Sequence, residues 1–194
     1  LRFELVLKAA SALRADVICL QETKTPDEFF PHDVFESAGY THRHIHGMKG
    51  YNGVAILSKI PFQKMDIHHR VGREDCRHIA VTLPSFELHN LYIPAGGDIP
   101  DRNQNEKFGH KLDFVDELHE WFGKTYSKKH PLMVVGDFNI APLEHDVWSH
   151  KQLLDVVSHT PTEVEKLTRF QAGLGWVDTG RHFTPPDQKL YTWW

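Results

Sequence analysis

Only two cysteines occur in this chain of 194 residues, Cys19 and Cys76, and they exclude a disulfide framework or a zinc knuckle. Cys19 sits in the apolar run Val17-Ile18-Cys19-Leu20, where a small buried thiol is expected, and the pair points to a reducing, cytosolic compartment. No apolar run approaches the ~20 residues that a bilayer span needs, and no signal or transit peptide is visible. Internal repeats, low-complexity stretches and the Gly-x-Gly-x-x-Gly of a dinucleotide fold are all missing. Excess positive charge is missing too. The formal net charge is −4, so bulk charge does not make this a nucleic-acid coat, although a locally basic groove is allowed.

What is present is ordinary globular composition, 40% hydrophobic and 25% charged, in a length that suits one domain, 1–194. Histidine is abundant at 15 residues, and its charge rises as pH falls through ~6.5. The chain begins with Leu1 and ends inside an aromatic run at Trp194, so both ends read as cut.

Phe3, Val6, Leu7, Ala10 and Leu13 recur at helical period, which predicts a helix over 1–14. Strands are expected at 16–20, at 53–58, at 77–83 and 87–93 as a hairpin or neighbours, and at 132–137. A second helical face runs through Phe108, Leu112, Val115, Leu118, Trp121 and Phe122, with both final aromatics in the core. Thr160-Pro161-Thr162-Glu163 is a capping box with proline at the first helical position, and its helix should end near Gly173 or Gly175. Tyr191-Thr192-Trp193-Trp194 reads as the start of a further strand, with one tryptophan facing in. Mixed strands and helices with a central hairpin imply an α/β layered fold.

Glu22, Tyr92, and Asp137 with Asn139 each stand at or just past the end of an apolar strand-like run. Strand ends gather at one rim of a layered fold, where functional groups sit. Glu22, Asp137 and Asn139 offer hard oxygens and no thiolate, a set that suits Mg²⁺, with Mn²⁺ as substitute. Carboxylates, an amide and a phenol around such a metal are what phosphoester hydrolysis needs. His42-Arg43-His44-Ile45-His46 alternates histidines. An exposed strand face is the bland reading, and a phosphate contact or a zinc site is the sharper one. The basic run from Lys124 to His130 reads as a solvated connection, and Gly96-Gly97 is no P-loop.

Five segments carry a family resemblance. Leu20-Gln21-Glu22-Thr23-Lys24 resembles the metal-binding motif of the exonuclease III class of abasic-site endonucleases. Tyr51 to Ser58, Tyr92-Ile93-Pro94, Gly136-Asp137-Phe138-Asn139 and Tyr191 to Trp194 are similar to further motifs of that class, in the same order. The resemblance implies a deoxyribonuclease-I-like α/β sandwich of two packed mixed sheets flanked by helices. It implies a monomeric, cytoplasmic, Mg²⁺-dependent DNA repair enzyme that cleaves 5′ to abasic sites, with 3′ to 5′ exonuclease and 3′-phosphatase activity. Double-stranded DNA with abasic sites or blocked 3′ ends would be its partner, with no membrane involved.

Residue by residue, the resemblance makes Glu22 a metal ligand. Asp137 would orient or deprotonate water and also touch metal. Asn139 would contact the phosphate or Asp137 near the metal, and Tyr92 would place its phenol on the phosphate. Tyr51 and Asn52 would enter a DNA groove, and Trp193 would line a pocket for a base-less sugar. The family's opening Trp-Asn-x-Asn, its later Arg-x-Asp and its Ser-Asp-His are absent from this sequence, and Ala95 stands where several relatives carry an amide. Residues 1–194 are therefore expected to be incompetent alone. A same-fold enzyme acting on a non-DNA phosphoester, or an inactive fragment, is the alternative.

Overall fold

The computed structural model describes residues 3–192, so Trp193 and its expected pocket role lie outside the described residues, as does Trp194. The chain divides into two compact units, Leu1–Tyr92 with Pro131–Asp137, and Ile93–His130 with Phe138–Trp194.

The first unit holds two sheets. Helix α1 (Phe3–Leu13) leads into β1 (Val17–Gln21), and a short 3-10 turn (Asp27–Phe29) and α2 (His32–Ser37) precede β2 (His42–His46) and β3 (Val54–Ser58). These strands pair in the order β1-β3-β2, all antiparallel. Then come β4 (Lys64–Ile67), β5 (His78–Thr82) and β6 (Glu87–Tyr92); β7 (Leu132–Asp137) returns after the second unit's long helix. The second sheet runs β4-β5-β6-β7, with β5–β6 the expected hairpin and β6–β7 parallel.

The central strand β3 is buried at all five positions, which explains its unbroken apolar run. Its two faces have different partners. Val54 and Ile56 meet Ile79, Val81, Leu88 and Tyr92 of the second sheet. Ala55 and Leu57 meet Ala10, Phe35 and Tyr40 under α1 and α2. Cys19, partly buried against the first of these clusters, has its thiol pushed up to about 12 by burial, and both cysteines are free.

Polar groups fix how the sheets meet. Asn90 points inward from β6 and is fully buried. Its amide donates to the carbonyls of Leu20 (2.9 Å) and Ala55 (3.0 Å), and its oxygen accepts from Gln21 Nε2 (2.6 Å).

The histidines of the second sheet form a directed chain. Arg70, itself buried, donates through Nε and Nη2 to His78 Nδ1 (3.1 and 3.0 Å). A guanidinium cannot accept, so His78 carries its proton on Nε2 and donates to His89 Nδ1 at 2.9 Å. His89 Nε2 then faces Glu87 Oε1 at 3.3 Å. His68 packs its ring 4.5 Å from that of His78.

The alternating histidines of β2 are not an exposed face, which corrects that reading. His44 is buried, with Nε2 2.9 Å from the Asp66 carbonyl. His42 and His46 pack against the rings of Phe62 and His69. The strand lies beside buried β3, and the alternation marks rings packed toward β4 and the residues flanking it, with a backbone partner at His44.

In the second unit α3 (Glu106–Thr125) starts at Asn105, whose side chain accepts from Lys107 N. Short α4 (His150–Leu153) precedes α5 (Pro161–Leu174), which begins at the expected capping box and stops at Gly175 in the left-handed region; α6 (Thr179–Phe183) follows. Phe122 packs on Phe170 and Trp176, joining α3 to α5, and half-buried Trp121 rests edge-on against Phe122. Tyr191 and Thr192 are not in a strand, contrary to expectation. Leu190 N and Thr192 N instead donate to the carbonyls of His145 and Asp146, so this backbone is spent on a turn.

Burial lowers the pKa of His68 to about 4, and lowers those of His78, His89 and His44 as well. These rings are neutral when folded and take up protons on unfolding below pH ~6.5. Their stabilising contribution is complete above that pH and is lost as pH falls from ~6.5 toward 4. The urea midpoint should therefore drop steeply between pH 7.5 and pH 5, with more than one proton taken up per molecule unfolded. A midpoint constant down to pH 5 would mean that the rings are already charged in the fold.

Candidate active site

Three of the residues singled out in the sequence meet at the C-terminal ends of β1, β6 and β7. Glu22 directly follows β1, Tyr92 closes β6, and Asp137 closes β7. The parallel pairing of β6 and β7 puts Tyr92 opposite Asp137, so both side chains project from the same face of the sheet. Across the sheets, the Tyr92 hydroxyl donates to Glu22 Oε1 at 2.6 Å. Glu22 Oε2 is paired with Lys24 Nζ at 2.5 Å.

The electrostatics follow from these contacts. The bond to Lys24, then the one to Tyr92, holds the Glu22 carboxyl below the usual carboxylate range, so it is ionised at neutral pH. Burial, then the carboxylate of Glu22, pushes the Tyr92 phenol up to about 12. Tyr92 is thus a hydrogen donor and not a phenolate at neutral pH. The Arg77 guanidinium lies 4.7 Å from the Tyr92 ring centre and is itself held by Asp75 at 2.7 Å.

The loop carrying Glu22 is clamped by the segment before β3. Thr23 N donates to the Gly53 carbonyl and Lys24 N to that of Asn52. Glu22, Lys24 and Asn52 all have positive φ (55, 53 and 42°), so strain is concentrated where the polar groups gather. Asn52 Nδ2 donates to the Asp75 carbonyl at 2.8 Å, which shapes the loop. The ring of neighbouring Tyr51 is 71% exposed and open to a partner. Gly53 must be glycine: its φ is +93°, and a Cβ would fall 2.1 Å from Thr23 Oγ1.

Asn139 belongs to the second unit, two residues beyond Asp137. It too has positive φ, 50°, and its Nδ2 donates to the Ile93 carbonyl at 2.9 Å.

Sequence reasoning missed Arg77, Gln21 and Asn90. Asn90 had a readable signal: Leu88, Asn90 and Tyr92 share one face of a strand, so an amide stands in an apolar row. Gln21 had none, since its partner Asn90 is 69 positions away, and at Arg77 only the pairing with nearby Asp75 was local, not the contact with the Tyr92 ring.

A second cluster was also unforeseen. Ring nitrogens of His68, His78 and His89 lie within 4.8 Å of one another, a spacing that would suit a metal. Arg70 argues against that use. Its donors occupy His78 Nδ1 and place a positive charge beside the cluster, while His78 Nε2 donates to His89.

Gly136 sets the approach of β7 to β6. With φ +139°, a Cβ here would stand 1.9 Å from the Leu91 carbonyl oxygen, an overlap that only strand displacement relieves. Gly136→Ala should cost at least ~2 kcal/mol in chemical denaturation, the overpacking penalty plus backbone strain. Stability unchanged within experimental error would show that the strands separate freely at this rim.

Comparison with known proteins bears on this arrangement. Residues 2–191 match the endonuclease/exonuclease/phosphatase family, through both units. The chain is 30% identical to recombination repair protein 1 of Drosophila melanogaster over 187 residues, covering 92% of this chain and 26% of that protein. It is 33% identical to exodeoxyribonuclease III of Haemophilus influenzae over 141 residues, covering 68% of this chain and 50% of that protein. It thus spans half or less of the length of these two relatives. The structure superposes on an AP endonuclease from Archaeoglobus fulgidus with a TM-score of 0.89 and 29% identity, covering all of this chain and 73% of the other. The two sheets and their flanking helices are those of that fold, and the chain belongs to the endonuclease/exonuclease/phosphatase family.

Proposed function

We propose that this chain belongs to a Mg²⁺-dependent DNA repair phosphodiesterase. Cleavage 5′ to abasic sites is its expected reaction, with 3′ to 5′ exonuclease and 3′-phosphatase action at the same site. The observation that carries the reading is the joining of Glu22, Tyr92 and Asp137 at three strand ends, two carboxylates and a phenol in one unit. The names of the relatives support DNA as substrate, as does the exposed Tyr51 ring next to the Glu22 loop.

The donor set fits a hard divalent cation. Glu22 is an ionised carboxylate with its side chain 44% exposed, accessible to a hydrated ion, and Asp137 brings a second carboxylate in the same unit. Mg²⁺ keeps several waters and needs only one or two such carboxylates. When bound, Mg²⁺ neutralises charge on the phosphate.

The residues divide the remaining work. Glu22, with Asp137 and Asn139, would hold the ion. Asp137 would orient the attacking water and accept its proton. Tyr92, kept protonated, would turn its one hydroxyl hydrogen from Glu22 to a phosphate oxygen where negative charge develops, freeing Glu22 Oε1 for the ion. Asn139 would offer its carboxamide to the scissile phosphate, its orientation set by the bond to Ile93 O. Tyr51 and Asn52 would track a DNA groove, and Trp193 would line the pocket for the base-less sugar. We place the enzyme in the cytoplasm as a monomer.

The test is nicking of duplexes with and without a single abasic site, by the protein carrying its native flanking sequence, across a Mg²⁺ titration. Parent protein should nick the abasic duplex preferentially and lose activity in EDTA. Glu22→Gln should cost at least ~10²-fold in rate and weaken the Mg²⁺ dependence. Asp137→Asn should abolish turnover and leave DNA affinity within a few-fold. Metal-independent nicking, or an Asp137→Asn variant with near-normal turnover, would refute the assignment.

A further inference from the structure

Helix α3 presents an apolar face through Phe108, Leu112, Val115 and Leu118, yet Lys111 on the same helix is as completely buried as any of them. Its ammonium meets Glu163 Oε1 at 2.5 Å, the Asn139 carbonyl at 2.6 Å, the Ala95 carbonyl at 3.1 Å and Ser158 Oγ at 3.2 Å. Glu163, also fully buried, accepts in addition from Ser158 N, Thr160 N and Thr160 Oγ1. All of these groups lie in the second unit.

A buried ion pair of this kind is weak as a stability device, because well-packed apolar residues of similar volume often do as well or better. What it supplies is geometry. The two backbone carbonyls that the ammonium binds belong to the segments just beyond β6 and β7. Ala95 follows Tyr92 by three residues, and Asn139 follows Asp137 by two. Asn139 sits at φ 50°, a conformation that few residues with a side chain adopt and asparagine tolerates better than most, and it is held from two sides. Lys111 binds its carbonyl, and Ile93 O binds its carboxamide. The neighbouring loop is built around the lysine stem. Gly96 has φ +94°, and a Cβ there would lie 2.8 Å from Lys111 Cδ and 3.0 Å from Val157 Cγ1.

We infer that Lys111, anchored by Glu163, is a positioning residue that holds Asn139 in its left-handed conformation and so aims its carboxamide. It acts through the backbone of Asn139. The consequence for catalysis rests on the role proposed for Asn139 above.

The test uses the protein with its native flanking sequence and the double variant Lys111→Met/Glu163→Gln. This variant removes both charges and keeps an acceptor for Ser158 N and Thr160 N. The backbone and side-chain amide NMR signals of Asn139 should move, while signals of the first unit's strands stay in place. On abasic duplex kcat should fall by about 10²-fold with KM within ~3-fold, the loss expected of an ångström-scale misplacement. Adding Asn139→Ala to the double variant should lower kcat little further. If the double variant does not fold, Lys111→Arg, which keeps Glu163 paired, should give the same displaced signals and the same kcat effect. Asn139 signals unmoved in a folded variant, or a further full loss on adding Asn139→Ala, would overturn the inference. Displaced signals in a protein whose parent form cleaves no DNA would uphold the positioning and refute the proposed function instead.

Discussion

The amide of Asn90 is the constraint on which the rest of the first unit depends. Two packed sheets joined only by apolar contacts could slide with small loss, because such contacts have little directionality. Asn90 removes that freedom by binding two carbonyls and one side-chain amide of the opposite sheet. A shift would strand several buried polar groups, each at a cost of about 1–3 kcal/mol. Glu22 lies one residue beyond Gln21, and Tyr92 two residues beyond Asn90. The buried bond that sets the sheets therefore also delivers the phenol to the carboxylate.

The same logic recurs in the other buried polar groups. The chain from Arg70 through His78 and His89 to Glu87 has a fixed proton order, so each ring has one tautomer and one orientation. Lys111 and Glu163 fix a helix against two loops in the second unit. Apolar cores of β3 and α3 make folding favourable, and the polar clusters choose one arrangement among similar ones. At the rim the cost is visible as positive φ at Glu22, Lys24, Asn52 and Asn139. Four residues near the proposed chemistry occupy a region that most side chains avoid.

Much of this was legible where its cause is local. The capping box at Thr160 and the left-handed Gly175 bound α5 because both act within one helical turn. The β5–β6 hairpin showed in two apolar runs around Pro84-Ser85-Phe86. Glu22, Tyr92 and Asp137 were visible as polar groups ending apolar strands, and those strand ends do converge. What could not be read depends on partners far along the chain. The inward turn of His42, His44 and His46 comes from packing near β4, about twenty residues away. Nothing near Lys111 in the sequence marks it as buried, because its partner Glu163 lies 52 positions later. The expected strand at Tyr191 failed because backbone donors found the turn at His145 and Asp146 first.

The central claim is that Glu22 and Tyr92 form one catalytic unit across the two sheets. A double-mutant cycle measures this directly, comparing cleavage rates on abasic duplex for parent, Glu22→Gln, Tyr92→Phe and the double variant in the protein with its native flanking sequence. A coupling of at least ~1 kcal/mol is predicted, since each substitution removes the same charge-assisted hydrogen bond. Effects that add within ~0.3 kcal/mol would contradict the account and make the 2.6 Å contact incidental to the chemistry.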